Sequence, residues 1–265
     1  MTQAEAPAQQ DRQMVTAVAR GMALLASFRA ERPLLSNADL AKACGLPRSS
    51  VSRLTHTLVK LGYLEYDTQS SAYRLGAKVL SLSYAMSGGM LLRSLAAPYL
   101  QILADESKSH VALATCEDFS MLILDVVSDD ETRAQPMQVG AHMTLDTTAM
   151  GRAYMASCSQ AECGRIVDHL VSQRGRHRPA LEQVIADARK EYSARGYCTS
   201  MHAWRQGVMG VAVPLFLTNL GRRIVLTCGG VSSQMPEEAI HARVAPLLVK
   251  TSQKIEKASS HLKHF

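Results

Sequence analysis

The feature that most constrains the fold is the stretch PRSSVSRLTHTLVKL at residues 47–61. Pro47 can open a helix because a proline in the first helical turn loses no hydrogen bond that the helix needs. The preceding Gly45 is a turn residue. Apolar side chains recur at helical spacing, at Val51, Leu54, Leu58 and Leu61. The stretch therefore predicts an amphipathic helix that buries this face and exposes arginine and serine side chains on the other.

Two shorter helical patterns come before it. Residues 15–28 place Val18, Met22, Leu25 and Phe28 on one face, and Arg32-Pro33 ends the pattern. Ser36 or Asn37 can cap a second helix over Ala38–Cys44, in which Leu40 and Ala41 point inward. Three helices joined by short turns predict a helix-turn-helix unit whose third helix is residues 47–61.

A hairpin is predicted directly after the third helix. Tyr63–Tyr66 and Ala72–Leu75 alternate in the manner of strands around the turn-prone segment Asp67–Ser71. A hairpin in this position is the wing of a winged helix. Its polar tip, Thr68–Ser71, is expected to reach a neighbouring groove or phosphate of a nucleic acid.

The polar face of the third helix has the composition of a DNA-reading surface. Arginine can bridge the two guanine acceptors in the major groove, and serine can reach base edges or phosphates. Residues 1–88 hold ten Lys or Arg against six Asp or Glu, so +4 of the net charge of +6 lies there. The alternative is a generic three-helix subdomain with a solvated polar face. Double-stranded DNA is the predicted partner, with contacts at Arg48, Ser49, Ser50, Ser52, Arg53, His56, Thr68 and Gln69.

The rest of the chain alternates strand-like and helix-like stretches, which predicts an α+β domain. We predict a flexible arm over residues 1–14, the winged helix-turn-helix over 15–76, a linker helix over 77–95 and the α+β domain over 96–265. The strands are predicted at Val111–Thr115, Met121–Val127, Val208–Phe216 and Arg223–Cys228. The helices are predicted at Met150–Ala156, Ala161–Val171, Leu181–Arg195 and Glu237–Lys257.

Several functional classes find no support in the sequence. The first residues show no secretory leader and no stretch of about eighteen apolar residues exists, so we expect a cytoplasmic protein without a membrane partner. The six cysteines lack metal-ligand spacing, which predicts reduced thiols and no metal. No catalytic residue and no cofactor is predicted, since common nucleophile and phosphate-binding motifs are absent. Two alternatives stay open: a hydrolase pairing Cys228 with His142 or His202, and a redox sensor that uses Cys158 and Cys163.

Five stretches resemble the IclR (isocitrate lyase regulator) family of bacterial transcription factors. They are VARGMALLASF, LSNADLAKACGLPRSSVSRLTHTLVKLGYL, YRLG, VGAHMTLDTTAMGRAYMA and RRIVLTCGGVSSQMP, and the likeness runs from about Val15 to Lys257. The resemblance implies a winged helix-turn-helix joined by a linker helix to a GAF-like effector domain with a curved antiparallel sheet. It also implies homodimers or homotetramers on pseudo-palindromic operators, and control by a small organic acid.

An effector pocket is expected where the family has one, at the segments matching Thr147–Tyr154, Val208–Pro214 and Leu226–Gly229. The turn LDTTAMG brings small residues to a helix start, whose free amides suit a carboxylate. Glycine at 210 and cysteine at 228 suggest a roomier, more apolar pocket than the family usually has. An aromatic or short-chain carboxylic acid is the expected effector, and a domain that only oligomerises or senses redox state is the alternative. The expected contacts are Met143, Leu145, Ala149, Met150, Gly151, Tyr154, Ser200, Trp204, Gly210 and Cys228.

Overall fold

The computed structural model describes residues 13–89, 91–128, 137–217, 221 and 223–262. The chain divides into two compact units, and the boundary along the sequence falls between Gly88 and Gly89. Each unit has its own hydrophobic core. The predicted N-terminal arm lies outside the described residues except for Gln13 and Met14.

The first unit is a helix-turn-helix with a wing. Its elements are α1 (Thr16–Leu25), α2 (Asn37–Cys44), α3 (Arg48–Lys60), β1 (Leu64–Asp67), β2 (Ala72–Leu75) and α4 (Ala77–Gly89). Ser36 caps α2, because its hydroxyl accepts from the Asp39 amide while the Asp39 carboxylate accepts from the Ser36 amide. Gly45 then ends α2 in the left-handed conformation, with φ of 63°, that turns the chain toward α3. These local signals confirm the predicted turn.

The wing is tied to the segment before α2. Strands β1 and β2 pair antiparallel, with Leu64 opposite Leu75. Leu35 forms a single bridge to β2: its amide donates to the Tyr73 carbonyl at 3.0 Å, and its carbonyl accepts from the Tyr73 amide at 2.8 Å. The bridge links the helical part of the unit to the hairpin.

The buried face of α1 differs from the predicted one. Gly21, Leu24 and Phe28 are buried, whereas Val18 and Met22 are 62% and 56% exposed. The prediction was wrong because α1 ends at Leu25, so Phe28 lies outside the helix and helical spacing does not connect it to Val18. Leu61 was also expected to be buried, but it follows the end of α3 and is 48% exposed.

The second unit is built on one six-stranded antiparallel sheet. Its strands are β3 (His110–Glu117), β4 (Ser120–Ser128), β5 (His142–Met143), β6 (Cys198–Met201), β7 (Val208–Leu215) and β8 (Ile224–Val231), in the spatial order β5-β4-β3-β8-β7-β6. Its helices are α5 (Leu91–Ser107), α6 (Ala149–Ser157), α7 (Gln160–Arg174), α8 (Arg178–Arg195), α9 (Glu237–Ala239) and α10 (Ala245–Ser259). A bulge between Leu113 and Ala114 shifts the β3–β4 register and bends the sheet.

The two faces of this sheet are covered by different helices. One face packs on α5 and α10, and the other on α6, α7 and α8. Side chains along β8 alternate between them, because Val225 belongs to the α6 side while Leu226 and Cys228 belong to the α5 side. All four predicted strands are confirmed, and the two missed strands, β5 and β6, have only two and four residues.

The last predicted helix is interrupted. A π-helical turn at Ile240–Val244 separates α9 from α10, where the sequence predicts one continuous helix over Glu237–Lys257. Pro246, in the first turn of α10, has no amide hydrogen to donate to the preceding turn. The missing bond is a physical reason for wider winding at this point.

We expect Gly151→Ala to destabilise the second unit, because a Cβ at this position would lie 2.2 Å from the Leu145 carbonyl oxygen. Backbone must then move, at a cost of about 1–3 kcal/mol or more. Gly164→Ala in α7 is the matched control, since a Cβ there meets nothing within 4 Å and alanine favours a helix by roughly 1 kcal/mol. Thermal unfolding should show opposite shifts, and equal shifts would contradict the packing described for Gly151.

Candidate nucleic-acid interface and ligand-binding face

Helix α3 exposes the predicted DNA-contact side chains. Arg48, Ser49, Ser52, Arg53 and His56 are exposed, and Ser50 is half-buried. The opposite face of the helix packs in the core of the unit through Val51 and Leu58. The structure therefore brings the six predicted α3 residues to one accessible surface, at and after the helix N-terminus.

A buried hydroxyl that sequence reasoning missed fastens α3 to α2. Thr55 is fully buried, and its hydroxyl lies 3.2 Å from the Ser52 carbonyl and 3.5 Å from Oδ1 of Asn37. The Asn37 amide donates to the Ser52 hydroxyl at 3.3 Å. Asn37 thus orients one of the predicted contact hydroxyls, which helical spacing of apolar residues could not indicate.

The wing tip has a fixed backbone. The Asp67 carboxylate accepts hydrogen bonds from the amides of Gln69 at 2.8 Å and Ser70 at 3.2 Å. The hydrogen bonds from these amides hold the pKa of Asp67 below its usual value, and the amide of Ser70 has the larger effect. Thr68 and Gln69 are both exposed on this turn, as predicted contacts must be.

In the second unit, the N-terminus of α6 has the geometry of an anion site. Thr148 caps the helix, since its hydroxyl accepts from the Gly151 amide at 3.1 Å and donates to the Thr144 carbonyl at 2.6 Å. Within the described residues, the amides of Ala149 and Met150 make no hydrogen bond. Unsatisfied amides at a helix start attract negative groups.

Part of the predicted pocket comes together at this helix end. Leu145, in the turn before α6, and Ala149 and Met150, in its first turn, are almost fully buried. Ala149 lies directly over Gly210, where an added Cβ would be 3.2 Å from the Ala149 methyl group. The space above Gly210 is therefore filled by the helix, and the expected roominess at this position is wrong. The nearby Ser200 hydroxyl donates to the Thr147 carbonyl at 2.6 Å.

Cys228 does not belong to this face, which corrects the sequence-based expectation. It is fully buried among the side chains of the α5 and α10 face, next to the Ser107 and Ser109 hydroxyls. Burial raises the pKa of its thiol to about 12. Strand alternation explains the error, because it is the neighbours Thr227 and Gly229 that point to the α6 side.

Three further predicted residues lie around this group. Tyr154 is in the second half of α6, and the Arg223 guanidinium is 5.5 Å from the centre of its ring. Met143 pairs with Met121 on the edge strand β5 and packs against the same hydrophobic cluster. Trp204 lies in the β6–β7 loop, half-buried, with Arg205 stacked on its ring at 4.4 Å.

A row of residues that sequence reasoning mostly missed crosses the sheet on the α6 side. Its members are opposite one another in register: Ser200, Gly210, Gly229, His110 and Ser128, here called the polar row. His110 is 8% exposed, and its Nδ1 lies 2.6 Å from the Ser128 hydroxyl. A Cβ at Gly229 would make only ordinary contacts, at 3.6 Å or more. The alternation of side chains along β3 and β8, combined with the pairing of these two strands, is the signal that would have identified the row.

Features of two other functional classes can be compared with the described residues. None of the described helices has the length and hydropathy needed to cross a membrane. Across the same residues, no group of three or more His, Cys, Asp or Glu side chains is arranged to hold a metal ion.

Comparison with known protein families gives two matches. The model of the IclR helix-turn-helix domain matches residues 17–68, and that of the bacterial transcriptional regulator IclR C-terminal domain matches residues 84–257. The HTH-type transcriptional regulator TsaQ1/TsaQ2 of Comamonas testosteroni is 30% identical over 245 residues, which is 92% of this chain and 88% of that protein.

Solved structures agree with these matches. An IclR family transcriptional regulator from Brucella abortus superposes with a TM-score of 0.86 and 36% identity, over 94% of both chains. An IclR homologue from Microbacterium hydrocarbonoxydans, complexed with 4-hydroxybenzoate, gives a TM-score of 0.70 at 20% identity, over 92% of this chain and 98% of that one. At this identity the second likeness shows the fold alone.

The winged helix-turn-helix, the C-terminal domain with its curled antiparallel sheet and the family matches all point the same way. The expected resemblance and fold class are confirmed. The chain belongs to the IclR family and is a DNA-binding transcriptional regulator.

Proposed function

We propose that this regulator responds to a small organic acid, aromatic or short-chain, that binds at the N-terminus of α6, beside the part of the polar row formed by Gly229 and His110. The observation that carries the proposal is the pair of unpartnered amides at Ala149 and Met150, on the sheet face that also holds Gly210 and Gly229. A small carboxylate fits the charge of such a helix start. We further propose that the protein is not an enzyme, in keeping with its relatives.

Two physical terms favour a carboxylate here. The helix dipole stabilises a negative group by about 0.3–1 kcal/mol at an exposed site, and more where the group is partly buried. The hydroxyl of Ser128 and the imidazole of His110 add polar contacts along the row. Half-buried Met137, whose methyl carbon would lie 3.8 Å from a Cβ at Gly229, offers an apolar wall for the remainder of a ligand.

One relative supports the chemical class. The Microbacterium hydrocarbonoxydans homologue is complexed with 4-hydroxybenzoate, an aromatic acid. A ligand of this class regulates the present chain only if it binds one conformation more tightly than another, because equal affinity shifts no equilibrium. The alternative, a C-terminal domain that only oligomerises, predicts no carboxylate binding at all.

For the DNA interface we propose that Arg48 and Arg53 carry the main contacts, assisted by the neighbouring serines. Both side chains are exposed on the first two turns of α3, opposite Val51. The wing tip, through Thr68 and Gln69, is proposed to contact an adjacent groove or phosphate.

We also propose that the protein is a homodimer, and that dimers can pair into tetramers. Helix α4 exposes a run of large apolar side chains, and α1 exposes another: Leu80, Leu82, Tyr84 and Met86 on α4, and Val15, Val18 and Met22 at α1. Tyr84 is 81% exposed and Leu80 is 74% exposed, which is costly for an isolated chain. A second copy is the proposed occupant because a two-fold operator needs two recognition helices.

For the DNA contacts, Arg48→Ala and Arg53→Ala should each weaken operator binding by about 1–3 kcal/mol. Loss of a base contact relaxes specificity at one position, while loss of a phosphate contact weakens all sequences and flattens the salt dependence. Binding is measured by fluorescence anisotropy on a duplex selected by the parent protein, at matched salt. Lys60→Ala, which removes one charge from the far end of α3, is the control. Parental affinity in both arginine variants would refute the assignment.

For the effector site, Gly229→Val should fill space on the α6 face and weaken binding of a small carboxylate by roughly tenfold or more. The parent is first screened by thermal shift with 4-hydroxybenzoate and a panel of short-chain carboxylates, and binding is then measured by calorimetry. Gly230→Ala is the control, since its Cβ would lie near Met235 in the core on the other face of the sheet. The site is wrong if Gly229→Val binds as the parent does, or if no carboxylate stabilises the parent.

For the dimer, Leu80→Glu together with Tyr84→Glu should place charge on the exposed apolar run of α4 and lower the mass measured by light scattering at micromolar concentration. DNA affinity should fall with it, because the second half-site is no longer bound by the same particle. Tyr66→Glu, a 48%-exposed residue on the wing, should keep the parental mass. A parent protein that is monomeric at this concentration would rule the proposal out.

A further inference from the structure

Two buried cysteines adjoin at the end of α6 that is remote from the proposed effector site. Cys158 is the C-cap of α6, and Cys163 lies in the second turn of α7. Both are nearly buried, at 6% and 5% exposure, and the Arg189 guanidinium contacts both residues, at the Cys158 carbonyl and the Cys163 sulfur. The Cys163 thiol also donates to the Met155 carbonyl at 3.4 Å. A disulfide between the two cysteines would close a loop of only a few residues.

Two arginines from different elements point at the two sulfur atoms. Nη2 of Arg189, on α8, donates to the Sγ of Cys163 at 3.4 Å and to the Cys158 carbonyl at 2.9 Å. Nη1 of Arg223, just before β8, donates to the Sγ of Cys158 at 3.4 Å. Cations at this distance stabilise a thiolate, whereas buried structural cysteines are inert.

Among the described residues, no arginine donates a hydrogen bond to the sulfur of Cys198 or Cys116. The Cys198 thiol donates to the Ala188 carbonyl at 3.4 Å, and burial raises its pKa to about 12. Cys116 lies beside Tyr154, and burial raises its pKa as well. A thiolate is therefore favoured at the Cys158–Cys163 pair and disfavoured at these positions.

Within the pair, Cys163 has the lower pKa. The adjoining Cys158 thiol lowers the pKa of Cys163, and the charge of Arg189 acts in the same direction, while burial opposes the shift. The adjoining Cys163 thiol, together with burial, raises the pKa of Cys158. Glu162 opposes the thiolate, but its carboxylate is paired with Arg223 at 3.1 Å.

We propose that Cys158 and Cys163 form a reversible thiol–disulfide couple that a hydroperoxide oxidises. The Cys163 thiolate attacks the terminal oxygen of the hydroperoxide, forming an S–O bond while the O–O bond breaks, and the departing alkoxide or hydroxide takes up a proton. The Cys158 sulfur then attacks the Cys163 sulfenic acid, so that the S–S bond forms and water leaves with the Cys158 proton. The sulfur atoms lose two electrons in total, which reduce the peroxide. A dithiol then reduces the disulfide back to the two thiols by thiol–disulfide exchange.

The position of the couple connects it to the rest of the domain. A disulfide would join the end of α6 to the start of α7 and would remove the thiolate that Arg189 contacts. The same helix begins over Gly210 at the polar row. Oxidation and effector binding therefore act on opposite ends of one helix, although neither chemistry requires the other.

The experiment treats the full-length protein with hydrogen peroxide and follows each cysteine by differential alkylation and peptide mass spectrometry. We expect a Cys158–Cys163 disulfide that forms roughly tenfold or more faster than any modification of Cys198 and that dithiothreitol reverses. In Cys158→Ser, Cys163 should stop at the sulfenic acid, which dimedone traps. In Cys163→Ser, Cys158 should stay reduced.

A second measurement distinguishes a Cys163 thiol that reacts because it ionises easily from one that reacts only because reagents reach it. The rate of Cys163 alkylation by iodoacetamide should rise with pH around a lower midpoint than that of Cys198, and Arg189→Met should move the Cys163 midpoint upward. Cys116→Ser is the matched control, which should leave both the midpoint and the disulfide unchanged. Equal rates for Cys163 and Cys198 in the parent, or a disulfide that forms only with other cysteines, would overturn the proposal. These results are independent of carboxylate binding, so they do not stand or fall with the proposed effector.

Discussion

The close approach of α6 to the backbone around it is the contact on which the C-terminal unit depends. Gly151 leaves no room for a side chain against Leu145, and the Ala149 methyl group fills the space above Gly210. The first contact packs α6 on the turn that precedes it, and the second packs the helix start on the sheet. Gly210 is covered in this way, whereas its partner in register, Gly229, leaves the neighbouring surface free of a side chain. A tightly held helix start beside Gly229 is the place that we propose for a small ligand.

The DNA-binding unit follows a comparable principle with different chemistry. The inner face of α3 is fixed by buried Val51 and by the hydroxyl of Thr55, which donates to the side chain of Asn37 on α2. Since the buried side of the helix is fixed in this way, the exposed Arg48 and Arg53 project from a rigid element rather than from a loop. Rigid presentation matters for base reading, because an arginine that bridges two acceptors tolerates little error in position.

The sequence was informative where a signal is local and failed where it depends on tertiary structure. Ser36, one of the two predicted caps of α2, and the turn at Gly45 are short-range signals, and they predicted the ends of α2 to within one residue. The face of α1 was predicted wrongly, because Phe28 falls beyond the last turn and the exposed Val18 and Met22 form a second apolar side. Apolar spacing alone does not say whether a face is buried in its own chain or is left for another partner.

The predicted effector site shows the same division. The helix start at Ala149 was found because small residues after a capping threonine are visible in the sequence. The placement of Cys228 failed because a one-residue step along a strand moves a side chain to the opposite face, and family likeness at the level of a segment does not resolve that step. His110 was missed for a related reason. It reaches the proposed site only through the pairing of β3 with β8, which joins positions more than a hundred residues apart. Long-range register, rather than composition, thus decides which polar groups a ligand can meet on this sheet.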